Sequence, residues 1–127
     1  MALLAVGGAA GVMEMPLPYV ELGIALSIVA LGLAITVRCE WPVAAAMTLV
    51  GIFAIFHGHA HGIETPVGAS AIGYAFGFVT ATGLLHLSGL VFGVGMAAGG
   101  LRYSGQITQA SGAALAMAGV LVLRGAI

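Results

Sequence analysis

Long apolar runs, separated by short clusters of proline, charge or glycine, organise the whole chain. These runs lack the alternation of apolar and polar positions that is typical of strands, and they therefore predict helices. Only helices and closed barrels satisfy every backbone hydrogen bond in lipid. The predicted fold is all-α, a polytopic transmembrane helix bundle in a single domain. Four full spans and one partial N-terminal helix are expected, at about residues 1–12 (partial), 19–37, 42–61, 68–98 and 106–123.

The composition supports a membrane protein. Of the 127 residues, 61% are hydrophobic and 6% are charged, whereas a soluble domain has about 25% charged residues. The net charge is −1 and lysine is absent from the sequence, which argues against nucleic acid as a partner because that needs a basic face. The expected partners are membrane lipid and an ion, and a homo-oligomer is left open.

Two segments depart from the length of a simple span. Residues 1–12 would cover about 18 Å of a hydrocarbon core that is roughly 30 Å thick. They are interpreted as the tail of a helix whose beginning is missing, or as an interfacial stub. Residues 68–98 would extend about 46 Å if straight, so this helix must tilt strongly or break, and residues 83–89 are the expected place for a break.

Pairs of small residues that are four positions apart in the sequence predict where helices pack closely. Gly73 and Gly77 form one such pair, and Gly95 and Gly99 form another. In lipid, small side chains allow two helix backbones to approach each other. Both pairs are therefore predicted to form packing seams rather than to line a pore.

The positions of the arginines predict the orientation in the membrane. Arg38 and Arg102 would lie on one side, and Arg124 on the other. By the positive-inside rule, the loops that carry Arg38 and Arg102 are placed in the cytoplasm. The end of the third span, near residue 61, would then face outward.

The candidate chemistry lies in residues 56–65, Phe-His-Gly-His-Ala-His-Gly-Ile-Glu-Thr, which hold three of the four histidines. On an α-helix, His57, His61 and Glu64 fall within an arc of about 60°, and His59 points to the opposite side. Two imidazoles and a carboxylate suit Ni²⁺, Co²⁺ or Zn²⁺. An incomplete ligand shell also suits conduction, because the ion must be able to leave. Histidines that only form hydrogen bonds between helices, or lie at the interface, remain the alternative.

Two further polar residues lie in apolar surroundings. Glu21, near the start of the second span, is expected at the same depth as His61 and Glu64. A carboxylate close to hydrocarbon needs a partner or a cation, so Glu21 is a candidate fourth ligand. His86 would lie roughly 26 Å deeper, too far to bind the same ion. We expect it to form a hydrogen bond between helices, and a second station on an ion path is the alternative.

The motif at residues 56–64 resembles the signature of the HupE/UreJ family of bacterial nickel/cobalt permeases. The likeness extends over essentially the whole chain and includes Val20-Glu21, Gly68-Ala69-Ser70 and residues 82–86. It implies secondary uptake of Ni²⁺ or Co²⁺ across the bacterial inner membrane, which supplies hydrogenase or urease. By motif match, the family's transport roles fall on His57, His61, Glu64 and Glu21.

The family's second signature, His-x5-Asp-His on its first membrane helix, has no counterpart, because the chain contains no aspartate. We therefore expect that the sequence is N-terminally incomplete and that the first one or two family helices, with this motif, are absent from it.

The first functional hypothesis is a metal permease without a prosthetic group, in which Ni²⁺ or Co²⁺ is the transported ion. The chain lacks a nucleotide-binding P-loop, so transport would be channel-like, driven by an ion gradient, or powered by another subunit. The alternative is a non-transporting membrane assembly or metal-sensing subunit with structural histidines. An enzyme is not expected, because a zinc hydrolase motif such as His-Glu-x-x-His is missing from the sequence.

Overall fold

The computed structural model describes residues 1–38, 40–66, 68, 70–99 and 104–126. Within these ranges the chain is entirely helical apart from turns, which confirms the predicted all-α class. Arg102, on which the predicted orientation partly depends, lies outside these ranges. In chain order the described helices are α1 (Ala2–Val12), α2 (Val20–Thr36), α3 (Val43–Ile63), α4 (Ala71–Ala98) and α5 (Ser104–Ala126).

Among the described helices, three are long and apolar enough to cross a membrane: Val43–Ile63, Ala71–Met96 and Ser104–Gly125. The chain is thus a helical membrane bundle. Helices α1 and α2 are shorter, with 11 and 17 residues. At 1.5 Å per residue, α2 is about 26 Å long. The count of four full spans therefore stays a prediction.

Helix α4 continues without a break through its 28 residues. Of the two predicted alternatives, the break at residues 83–89 does not occur. Glycine keeps its backbone N–H, so glycines inside a helix lower its stability by only about 1 kcal/mol each and need not interrupt it. The helix is about 42 Å long, so it must tilt or extend beyond the hydrocarbon.

The closest packing joins α1 to α3, which run in the same direction. Gly7 and Gly11 of α1 are buried, and so are Gly58 and Gly62 of α3. A Cβ atom on Gly11 would lie 2.9 Å from the Cα of Gly62, and one on Gly58 would overlap the carbonyl oxygen of Leu4. Such close backbone contact is what holds helices together in lipid. Helix α1 is therefore a packed member of the bundle.

A second close contact joins α2 to α5, which run in opposite directions. A Cβ atom on Gly32 would lie 2.5 Å from the backbone nitrogen of Ala116, and one on Gly119 would lie 2.7 Å from that of Val29. The side chain of Gln109 adds a polar link, because its Nε2 donates to the carbonyl oxygen of Thr36 at 3.2 Å. Small residues thus pack α5 against α2.

Helix α4 packs loosely, and its predicted glycine seams do not form. Apart from the nearby backbone of α4 itself, no described atom lies within 4 Å of a Cβ built on Gly77 or Gly95, and a Cβ on Gly73 meets only Ser70 of its own turn. For Gly73, Gly77 and Gly95, the prediction of packing against another helix is wrong within the described residues. The tight seams are instead those between α1 and α3 and between α2 and α5, and α4 keeps large apolar side chains exposed along its length. Such a surface suits lipid contact.

The turn between α1 and α2 covers the end of α3. Glu14 and Tyr19 adopt left-handed backbone conformations, with φ of 54° and 60°, which costs about 1 kcal/mol or more for each residue. Pro16 and Pro18 lie between them and prevent the helix from continuing. The backbone N–H of Met15 closes α1 by donating to the carbonyl of Ala10 at 3.0 Å. This turn places Met15 above the seam between α1 and α3.

The close packing of α1 against α3 predicts that two glycine-to-alanine substitutions will change the stability of the protein differently. Gly7→Ala would force its methyl group into the carbonyl of Ile55, and we expect it to destabilise the protein by about 1–3 kcal/mol through overpacking. Gly77→Ala has open space and should be neutral or stabilising, since alanine favours a helix by about 1 kcal/mol. Unfolding in detergent micelles, followed by circular dichroism, measures both. Equal free energies of unfolding for the two variants would contradict the close packing of Gly7 against α3.

Candidate metal-binding face

The end of α3 places the candidate ligands on one continuous helical face. The helix runs to Ile63, and the backbone N–H of Glu64 still donates to the carbonyl of Ala60 at 3.1 Å. Thr65 then closes the helix, because its hydroxyl donates to the carbonyl of Gly62 at 2.9 Å. Glu64 thus keeps the helical register of the histidines that precede it.

Along this face the side chains contact one another in sequence. The rings of His57 and His61 meet edge to face, with centroids 4.9 Å apart and planes at 70°. Nδ1 of His61 lies 3.3 Å from the carboxylate of Glu64. The ring of His61 also packs on Phe78 of α4, with centroids 4.6 Å apart. We refer to His57, His61 and Glu64 as the α3 metal face.

The α3 metal face is open. The side chains of His61 and Glu64 are 35% and 66% exposed, and His57 is exposed as well. Across the residues that the structure describes, no three histidine, cysteine or acidic side chains are arranged to hold one metal ion together. The face therefore presents a row of ligands rather than a closed shell, and its role in metal binding stays a prediction.

Glu21 lies near this end of the bundle but apart from the α3 metal face. A Cβ on Gly23 would lie 2.7 Å from the ring of Phe56, so the start of α2 packs beside the last turns of α3. Glu21 itself is exposed. In the described part of the chain, the acid whose carboxylate contacts a histidine nitrogen is Glu64 and not Glu21. The assignment of Glu21 as a fourth ligand also stays a prediction.

The burial and the hydrogen-bond partner of His59 were not predicted from the sequence. Its residue is 2% exposed, and its Nε2 donates to the carbonyl oxygen of Met15 at 2.7 Å. The helical projection turned His59 away from the α3 metal face but assigned no partner to it. The burial of His59 could have been predicted from the neighbouring glycines, because Gly58 and Gly62 lie on the side of α3 that α1 approaches. His59 lies on that packed side.

His86 forms its hydrogen bond within its own helix. Its Nδ1 donates to the carbonyl of Thr82 at 2.8 Å, and the side chain is exposed. The expected bond between helices is therefore replaced by a local one. Among the described residues, the hydrogen bond found for the His86 ring is this one within α4.

Two comparisons relate this chain to known proteins. The family model described as HupE / UreJ protein matches residues 1–122. Protein HupE from Rhizobium leguminosarum bv. viciae is 41% identical over 124 residues, which cover 97% of this chain and 63% of HupE. The chain thus spans less than two thirds of the length of this relative. No solved structure matches the chain.

The two settings of histidine predict different effects on stability. His59→Leu removes the hydrogen bond to the Met15 carbonyl, and we expect a loss of about 0.5–1.5 kcal/mol. His57→Leu, two residues earlier on an exposed face, should change stability by less than about 0.5 kcal/mol. Denaturant unfolding of both variants in micelles measures the difference. If His57→Leu lowered the free energy of unfolding as much as His59→Leu does, the buried position and hydrogen bond of His59 would not explain the loss.

Proposed function

The chain belongs to the HupE/UreJ family, and from this premise we propose that it acts as a secondary permease for Ni²⁺ or Co²⁺. It would lie in the bacterial inner membrane and supply hydrogenase or urease maturation. The observation that carries this proposal is the row formed by His57, His61 and Glu64 at the end of a membrane-spanning helix.

The electrostatics of the α3 metal face favour a cation. The C-terminal end of a helix carries a partial negative charge, because its last carbonyls lack intrahelical donors. Glu64 stands at this end and adds a carboxylate. Imidazole nitrogens then select for transition ions, since Mg²⁺ and Ca²⁺ prefer shells made of oxygen. Nickel and cobalt accept both ligand types.

The openness of the α3 metal face suits transit better than storage. A conducting site must bind the ion well enough to admit it and weakly enough to release it. The exposed Glu64 carboxylate can approach an incoming hydrated ion, and the His57 and His61 rings lie next along the helix. Glu21, at the same end of the bundle, would supply a second carboxylate when an ion is bound.

A second candidate function rests on His59. Its hydrogen bond to the Met15 carbonyl shows that one histidine of the motif has a structural partner. A non-transporting membrane assembly or metal-sensing subunit would use the motif in this way. Neither function requires the chain to act as an enzyme.

Metal uptake into liposomes tests the proposed permease. We expect His61→Ala to lower the initial rate of Ni²⁺ or Co²⁺ entry by about tenfold or more, because even outer-shell changes at metal sites cost 10–100-fold. His86→Ala is the matched control, since this exposed histidine bonds only to its own helix in the described structure, and it should keep the wild-type rate. A metal-sensitive dye inside the vesicles reports entry.

Two results would reject the proposal. Equal uptake by wild type and His61→Ala would remove the α3 metal face from the pathway. Uptake by the wild type no faster than by empty liposomes would instead favour the assembly or sensing subunit.

A further inference from the structure

We propose that Phe78 of α4 is a positioning residue of the α3 metal face, whose ring holds the imidazole of His61 in a fixed orientation for a divalent transition-metal ion. The two rings pack with centroids 4.6 Å apart and planes at 43°. The inference rests on the proposed permease function, because that function supplies the ion. It adds to the site a residue that lies outside the histidine motif and on a different helix.

The ring of a histidine is not held in place by its own backbone. The torsion χ2, which turns the ring about the Cβ–Cγ bond, has broad minima, so neighbouring groups decide where the two ring nitrogens point. A ring that rotates freely loses conformational entropy when it binds an ion, whereas a ring that is already fixed loses less. The neighbours of His61 therefore contribute to its affinity for an ion.

The His61 ring contacts side chains from two helices. His57 meets it edge to face at a centroid distance of 4.9 Å, and the Glu64 carboxylate lies 3.3 Å from its Nδ1. Both of these side chains lie on α3 and are exposed, so each can rotate away from the ring. Phe78 belongs to α4 and is partly buried. Of these three contacts, the one with Phe78 restricts the His61 ring most.

The contact with Glu64 indicates which nitrogen of His61 faces an ion. A carboxylate beside Nδ1 attracts a hydrogen on that nitrogen, and in the neutral ring Nε2 then holds the lone pair. Metal-binding histidines are commonly held in this way, with one ring nitrogen beside a carboxylate and the other bound to the metal. Phe78 complements Glu64, since the carboxylate selects the tautomer and the aromatic ring limits rotation.

A second phenylalanine on α4 shows that the contact is specific to one position. Phe76, two residues earlier, is 73% exposed, whereas Phe78 is partly buried against His61. The two positions differ by 200° around the helix, so they lie on nearly opposite sides of it. The phenylalanine that is shielded is thus the one that meets the α3 metal face, and the other provides a matched control.

Co²⁺ binding to the purified protein in detergent micelles tests the inference. Visible absorption follows the titration and reports the ligands of the bound ion. We expect Phe78→Leu to weaken the Co²⁺ affinity by about threefold or more, which is the size of a typical aromatic pair. Phe76→Leu is the same substitution at an exposed position and should keep the wild-type affinity. Phe78→Tyr retains an aromatic ring and should keep it as well.

A double-mutant comparison separates positioning from a general effect on the structure. If Phe78 acts through the His61 ring, Phe78→Leu has no further effect on the Co²⁺ affinity of a protein that already carries His61→Ala. A role in packing alone predicts the same loss in both backgrounds. Circular dichroism checks that each variant keeps its helices, and Phe78→Met, which also lacks the ring, replaces Phe78→Leu if that variant does not fold.

The outcomes separate this inference from the proposed function. Unchanged Co²⁺ affinity in Phe78→Leu, together with a clear loss in His61→Ala, overturns the inference and leaves the α3 metal face in place. An equal loss from Phe78→Leu with and without His61→Ala also overturns it. If His61→Ala binds no measurable Co²⁺, the contrast of Phe78→Leu with Phe78→Tyr and Phe76→Leu decides. A wild-type protein that binds no Co²⁺ overturns both the α3 metal face and its positioning residue.

Discussion

The close contact of α1 with α3 is the constraint on which the arrangement of the site depends. Lipid provides no hydrophobic force between helices, so they must associate through van der Waals contact of their backbones. Gly7 and Gly11 on one helix and Gly58 and Gly62 on the other make that contact. Because Gly58 and Gly62 lie within the histidine motif, the same contact sets the direction in which each histidine points.

The motif divides its histidines between two tasks. His59 is one residue from Gly58 on the packed side of α3, and its ring nitrogen binds the turn that follows α1. His57 and His61 lie on the other side of the helix and form an exposed row with Glu64. Since a helix turns by 100° per residue, alternate residues point in nearly opposite directions. One short segment therefore supplies both a packed side and an exposed row of candidate ligands.

The bundle combines tight and loose parts. Helices α1 and α3 are held by one glycine seam, and α2 and α5 by another. Helix α4 has no buried residue among its described side chains, and it contacts the α3 metal face through Phe78. Because few contacts hold α4 to the other described helices, it is the least constrained helix of the bundle.

Local properties of the sequence determined the helical membrane bundle and the row of His57, His61 and Glu64. Apolar runs must form helices in lipid, and the helical repeat fixes which neighbours share a face. Only the tertiary structure decided which glycines meet. The chain has 21 glycines, and a pair such as Gly73 and Gly77 looks in sequence like Gly58 and Gly62, although only the second pair has a helix against it. The partner of His59 is 44 residues away, and a contact at that distance along the chain depends on how whole helices pack.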